Sequence, residues 1–582
     1  MPYRPHQQRV LAYAKRLVNL PGLYLYHSLG SGKTLLLIGL IEQLRRIVPG
    51  MKQFRALIVT KRSLVEAVRN ELLKSKETLE PQLDLSLYEV TTCNLLYNDE
   101  KRHMESKWSE NFIMAVDESH TWRNASSKLY PTLFRLASRA ARTILMSATP
   151  VINYPHEFSA QLNLILAHPS RPTAMTTEWG VADWAPYLPT TRLAWKRVFG
   201  EDGLQNTLLL KRYMGVLVSF HEEDVTSLEY KQHYGTLTIK DLHVPMKPDH
   251  ESMYVDLMNN KTDAINQVYD VSKPTTSLHH SAPPNFRNTW MSFQPDEIRQ
   301  FQGQLRLSAA TAVKKDTRFL AYVMALRMAC NRMYKKDSSD DEKKESDDDD
   351  DTDDFYAPKF QKVLSRIYLQ HRHDPKYKAI IYTNFIASGV DVCVHYLKRA
   401  KIPFEVISGA QSCTPEEVFQ RVSRYNRGNV RVLIFTTSGC HGLDLKKTSE
   451  AFIMDPHWNY EKIRQAIGRV HRFDSHEPGD GVVVYQCFTE HSKRKTADIY
   501  LRDFSQDKSK IITGFSEWIK NHCIERQTSD YTHKWMKSMS KTLPVSKKRI
   551  ATESLPQDQK RAKILSKRGA ESLPLDKKRV KI

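Results

Sequence analysis

Two blocks of short apolar runs, each alternating with helix-like segments, constrain this 582-residue chain more than any other feature of its sequence. In the first block the runs fall at 23–28, 55–60, 85–92, 112–118 and 143–149. In the second they fall at 379–384, 404–409, 430–437, 451–455 and 482–488. Short apolar runs between helices read as strands covered on both faces, and strands alternating with helices build parallel sheets. The expected fold is α/β, with two parallel-sheet lobes. One core is not expected to serve a chain of this length. Between the blocks, His156 to Ala329 is rich in Trp, Arg and Leu and poor in strand runs. It predicts a mainly helical region with a loop around Pro274 to Pro295. The expected domains are a first lobe at 1–170, a mainly helical insertion at 171–330, an acidic disordered insertion at 331–354, a second lobe at 355–495, a helical segment at 496–540 and a basic disordered tail at 541–582.

Charge is distributed unevenly. The formal net charge is +21. The run Asp337 to Asp354 holds twelve acidic and two basic residues, whereas Lys541 to Ile582 holds thirteen basic and four acidic ones. These nearly cancel, so the expected folded body carries essentially the whole positive charge, which suits a polyanionic partner such as nucleic acid. The acidic run has almost nothing apolar to bury and reads as a solvated spacer, with a nucleic-acid mimic as the alternative. In the tail, Glu553 to Ile564 is nearly repeated as Glu571 to Ile582. The clusters Lys547-Lys-Arg549 with Lys560-Arg561, and Asp576 to Lys581, have the spacing of nuclear localisation signals. A nuclear import receptor and a nuclear location are therefore expected, against a nonspecific DNA-binding tail. Seven scattered cysteines form no C-x-x-C pair, so no zinc site or disulfide framework is indicated. No apolar run approaches the roughly 18 to 20 residues that span a bilayer, and no membrane partner is expected.

Three segments carry chemistry. Leu23 to Thr34 runs from a strand through a Gly-rich turn into a helix whose apolar positions are Leu37, Leu40, Ile41, Leu44 and Val48. Gly30 and Gly32 allow backbone N–H groups to turn inward around a phosphate, and the helix N-terminus adds partial positive charge. Lys33 would reach the β- and γ-phosphates and Thr34 would hold Mg²⁺. The strict phosphate-loop pattern has Gly where this chain has His27; the alternative is a Gly-Ser turn that happens to precede Lys-Thr. Next, Phe112 to His120 is a strand ending in two acids. Asp117 would bind Mg²⁺ through its water shell and Glu118 would orient the attacking water, the two tasks phosphoryl transfer requires; a capping role is the alternative. His120 is placed to hydrogen-bond near the γ-phosphate, with a core histidine as the alternative, and Ser147-Ala-Thr149 to bridge the site to the other lobe, with an ordinary turn as the alternative. Third, Glu461 to Arg472 reads as a helix with Gln465, Arg469 and Arg472 on one face. Such arginines suit a developing phosphate charge, and a solvated basic face is the alternative. Thr436, Thr437 and Ser438 offer donors to a phosphate of nucleotide or nucleic acid.

In this order the segments resemble helicase superfamily two, especially its Swi/Snf-type ATPases, over almost the whole chain. Arg4-Pro-His-Gln7 resembles the family's Arg-Pro-Tyr-Gln, His27 to Thr34 its motif I, Ala56 to Thr60 motif Ia, Asp117 to His120 motif II and Ser147 to Thr149 motif III. Ala379 to Thr383 resembles motif IV, Gly442 to Leu445 motif V and Gln465 to Arg472 motif VI. Asp455-Pro-His-Trp-Asn459 is close to a Swi/Snf run, with Tyr460 in place of its Pro. The His27 loop and Met214 to Ser219 are similar to segments in ATPases of large DNA viruses, poxvirus nucleoside triphosphatase I among them. The resemblance implies two RecA-like lobes that hydrolyse ATP between them. It implies adenine recognition by Gln7, nucleotide binding by Gly30, Ser31, Gly32, Lys33, Thr34, Gly442 and Asp444, metal ligation by Thr34 and Asp117, and catalysis by Lys33, Asp117, Glu118, Gln465, Arg469 and Arg472. It implies tracking along duplex DNA in viral transcription, replication or DNA remodelling. The rival readings are an RNA helicase, a transcription-termination or mRNA-release NTPase, and, from another class, a nucleic-acid-binding scaffold with a degenerate ATP site.

Overall fold

The computed structural model describes residues 3–15, 20–48, 50–100, 108, 111–167, 188–200, 208–225, 227–261, 264, 268, 292–305, 317–335, 355–408, 414–437, 443–477 and 479–526. The acidic run from 336 to 354 and the basic tail lie outside the described residues, as does most of the loop expected at Pro274 to Pro295.

Two six-stranded sheets organise the chain. The first contains β1 (Gly22–His27), β2 (Arg55–Val59), β3 (Tyr88–Thr91), β4 (Phe112–Val116), β5 (Arg142–Ser147) and β6 (Val218–His221), in the order β3-β2-β4-β5-β1-β6. The second contains β7 (Thr236–Pro245), β10 (Ala379–Tyr382), β11 (Phe404–Ile407), β12 (Val432–Phe435), β13 (Glu450–Ile453) and β14 (Gly481–Glu490), in the order β11-β12-β10-β13-β14-β7. Every neighbouring pair in both sheets is parallel. A short antiparallel pair, β8 (Met333–Tyr334) with β9 (Phe355–Tyr356), closes the chain around the acidic run. The α/β reading with two parallel-sheet lobes is thus what the chain builds. Strands such as β4 and β10 are buried at every residue, as expected of sheets covered on both faces.

Several local readings need correction. Leu85–Leu87 is a 3₁₀ turn rather than the start of a strand, because Asp84 accepts a hydrogen bond from the Ser86 N–H (2.9 Å) and caps it. The span read as mainly helical contributes a strand to each sheet, β6 and β7. Asn331 to Lys335 is not part of an acidic loop: Asn331 is buried, and its side-chain amide donates to Asp455. The second sheet does not begin near Phe355, since its edge strand β7 comes from far earlier in the chain.

A 26-residue helix, Ala497–His522, fastens the halves together. Its first turns, with Ala497, Tyr500 and Leu501, pack among the helices Pro248–Met258 and Thr317–Asn331. Its last turns place Phe515 and Ile519 in the core of the first lobe. Near its start, Asp498 accepts a hydrogen bond from Lys359 Nζ at 2.8 Å, with the two side chains 2% and 0% exposed. A buried ion pair gains little over a well-packed apolar pair, but removing one partner strands the other charge. Lys359→Ala is expected to cost about 3–5 kcal/mol of stability, read as a lower urea midpoint. The double variant Lys359→Met/Asp498→Leu is expected to recover most of that loss.

Candidate active site

The phosphate loop is built by backbone conformation. Gly30 (φ 79°) and Gly32 (φ 74°) both lie in the left-handed region, which a Cβ disfavours. Helix Lys33–Ile47 starts immediately after Gly32, so its free N–H groups face the loop. Lys33 Nζ donates to the carbonyls of His27 (3.0 Å) and Ser28 (2.8 Å). Its pKa is lowered, first by burial and then by the charges of Arg472 and Arg469, while Glu118 and Asp117 oppose the shift. Gln7 is buried, and its amide donates to the carbonyls of Ser31 (3.3 Å) and Gly32 (3.1 Å) while accepting from the Arg4 N–H (2.8 Å). His6 Nε2 lies 3.0 Å from the Ser31 carbonyl. Gln7 thus buttresses the loop directly.

The acid pair stands at the carboxyl end of β4, two strands away from β1 across β5. Asp117 accepts from Thr60 Oγ1 (3.1 Å) and from the Glu118 N–H (2.8 Å). Burial, and then the neighbouring Glu118 charge, push Asp117 up to about 6. Burial alone would raise Glu118 as well, but the hydrogen bond to His120 and the positive charges around it, Lys33 and Lys61 among them, hold it below the ordinary carboxylate range. Glu118 adopts a left-handed backbone (φ 48°, ψ 48°), unusual for a residue with a Cβ. His120 is buried, with Nδ1 3.1 Å from Glu118 Oε2 and 3.0 Å from Ser147 Oγ. Ser147 Oγ also accepts from the Thr149 N–H (3.0 Å). These contacts tie the acid pair to the end of β5 within the first lobe.

The arginines arrive from the second lobe, but not on a helix. Helix Tyr460–Ile467 ends at Gly468, and the chain then turns, with the Arg469 N–H on the Ala466 carbonyl (3.1 Å) and the Val470 N–H on the Ile467 carbonyl (3.0 Å). The single helical face read for Gln465, Arg469 and Arg472 is therefore broken after Ile467. The break serves close approach: a Cβ on Gly468 would stand 3.0 Å from Leu29 Cδ1 of the phosphate loop. Arg472 is lowered to about 10, first by burial and then by Arg469, while Asp444, Tyr234 and Glu118 oppose the shift. Gln465 and Arg469 are both buried. Gly442, Ser438 and Cys440 lie outside the described residues. Thr437 Oγ1 donates to Asn384 Oδ1 (2.7 Å), linking the ends of β12 and β10.

Other contacts at or beside the seam gave no sequence signal. The Tyr234 hydroxyl lies 3.5 Å from the Gly30 carbonyl, and the Asp474 N–H donates to the His233 carbonyl (2.7 Å). The Arg4 guanidinium sits 3.8 Å from the Phe473 ring centre and 3.2 Å from Glu223. Each links groups distant in sequence, without a local pattern to mark it.

Lysine and two carboxylates from one lobe therefore face two arginines from the other across the seam, within reach of one another's charge. Two domain families match the chain in agreement with that arrangement: the SNF2-related domain over residues 86–335 and the helicase conserved C-terminal domain over residues 359–474. The chain is an SNF2-type helicase-fold enzyme that hydrolyses ATP. It is of a viral type: it is 24% identical over 536 residues to the ATP-dependent RNA helicase candidate L538 of Acanthamoeba polyphaga mimivirus, covering 89% of this chain and 97% of that protein. It is 21% identical over 537 residues to nucleoside triphosphatase I of Heliothis armigera entomopoxvirus, covering 88% and 77%. Among solved structures, the Pyrococcus furiosus Hef helicase domain aligns with a TM-score of 0.41 and 13% identity, covering 83% of this chain and 95% of that one. Among the described residues, no helix is long and apolar enough to cross a membrane.

Proposed function

We propose that this enzyme is a motor that uses ATP hydrolysis to track along duplex DNA, serving viral transcription, replication or DNA remodelling. The observation that carries the reading is the convergence of Lys33, Arg469 and Arg472 on one seam with Asp117 and Glu118. Three cations brought together in a buried site repel one another, and a triphosphate supplies the compensating charge. In this reading Lys33 and the loop N–H groups hold the β- and γ-phosphates, Glu118 orients the attacking water, and Arg469 and Arg472 meet the charge developing on the γ-phosphate. Gln465, buried on the helix that leads to the arginines, completes the catalytic set in this reading.

Thr34 and Asp117 are the residues that would hold a magnesium ion. A hydroxyl and one carboxylate, completed by substrate phosphates and water, are the donors such an ion takes in phosphoryl-transfer sites. Such an ion neutralises phosphate oxygens during transfer. Hydrolysis at a seam changes the relation of the two lobes, and a net charge of +21 suits a partner gripped by its phosphates.

The likeness to a relative described as an RNA helicase favours RNA as the second reading. ATPase rates measured with duplex DNA, single-stranded DNA and RNA decide between them. Duplex DNA is expected to stimulate most, with stimulation falling steeply between 50 and 200 mM salt. Strongest stimulation by RNA would transfer the assignment to RNA, and no stimulation by any of the three would leave a nucleic-acid-independent NTPase.

A further inference from the structure

His27 occupies a place where the phosphate-loop pattern has glycine, and the active-site arrangement above gives its ring no task. The ring is fully buried at the end of β1, with Nε2 2.9 Å from Ser219 Oγ on the neighbouring strand β6. The Ser219 hydroxyl in turn donates to Glu525 Oε1 at 2.5 Å, and the other oxygen of Glu525 accepts from the Phe220 N–H at 3.0 Å. Glu525 belongs to the short turn Ile524–Arg526 that directly follows the long helix.

The chemistry orients this chain of bonds. A carboxylate at 2.5 Å only accepts, so the single Ser219 proton points to Glu525. His27 Nε2 must then be the donor to Ser219 Oγ, which leaves Nδ1 bare. Nδ1 is buried with no acceptor within hydrogen-bond reach, so a proton there would have no partner, in keeping with that tautomer. Burial also pushes the His27 pKa well down, so the ring is neutral. Finally, the main-chain oxygen of His27 is one of the two carbonyls that seat Lys33 Nζ.

We propose that Glu525 and Ser219 are positioning residues for ATP binding, acting through His27 to fix the backbone that seats Lys33. The C-terminal turn is thereby latched to the underside of the phosphate loop, and glycine at position 27 could not transmit the contact. The inference rests on the reading of that loop as the ATP site.

The test uses the full chain and equilibrium binding of a non-hydrolysable ATP analogue, with kcat measured alongside. Glu525 is exposed, so Glu525→Ala should fold normally. It is expected to weaken ATP binding roughly fivefold, the worth of one hydrogen bond, with a much smaller change in kcat. Glu525→Gln keeps an acceptor oxygen and is expected to restore affinity. Ser219→Ala is expected to match Glu525→Ala, and the double variant to be no worse than either single one, as coupled residues require. Wild-type affinity in Glu525→Ala, or losses that simply add, would overturn the latch. Lys33→Ala measured in parallel separates the two claims: if it binds ATP as well as wild type, the site reading itself fails, whereas a loss there with normal binding by Glu525→Ala removes only the latch.

Discussion

Arg472→Ala is expected to lower kcat for ATP hydrolysis by about 10³- to 10⁵-fold while leaving ATP affinity close to that of the unaltered enzyme. The guanidinium is half-buried at the seam, and Asp444, Tyr234 and Glu118 favour its charged form. Even lowered to about 10 it stays protonated at neutral pH. It comes from the opposite lobe to the phosphate loop, so ground-state binding by Lys33 and the loop N–H groups survives its removal. What is lost is stabilisation of charge that develops only during transfer, and such a loss appears in kcat rather than in binding. Single-turnover hydrolysis with a parallel binding measurement checks this; a variant with ordinary turnover would remove Arg472 from the reaction.

Glu118→Gln is expected to lower kcat by about 10²- to 10⁴-fold, the usual worth of a positioned general base. Glutamine preserves the size of the side chain and still offers His120 an oxygen, so the fold and nucleotide binding should survive. It lacks the negative charge that polarises water, and the surrounding groups hold that charge in place by keeping Glu118 ionised. The left-handed backbone at Glu118 is also informative. Strain of this kind persists only where the surroundings enforce it, and it concentrates at functional sites. Hydrolysis followed in the presence of nucleic acid is the decisive measurement, and unaltered turnover would return Glu118 to a purely structural role.

Much of this was legible before any coordinates, for specific reasons. The phosphate loop declares itself because two glycines, a strand and a helix start must fall in a fixed order within a dozen residues. The acid pair declares itself because five apolar residues, Phe112 to Val116, lead directly to Asp117 and Glu118. The arginines were legible as residue types but not in their geometry, since Gly468 turns a helical pattern into a loop without altering its periodicity. Strand β7 was hidden because it is an edge: most of its residues are exposed, so Thr236 to Asp241 lacks the apolar run that marks a central strand. Strand β6 was hidden because it follows the apolar helix Leu208–Leu217 without a break. Ser219 and Glu525 lie 306 positions apart, and no local pattern reports a contact at that separation.

Helix Ala497–His522 sets a mechanical limit on how the two halves of the chain can move. At 1.5 Å per residue its 26 residues reach about 39 Å, from the cluster built by helices Pro248–Met258 and Thr317–Asn331 to the core of the first lobe. A rod anchored at both ends forbids the halves from drifting apart and leaves pivoting about its axis as the cheap movement. For the proposed motor the expected movement is therefore a swivel of small amplitude, and a pair of fluorescent labels at opposite edges of the cleft is expected to report a change in angle far more readily than a change in separation.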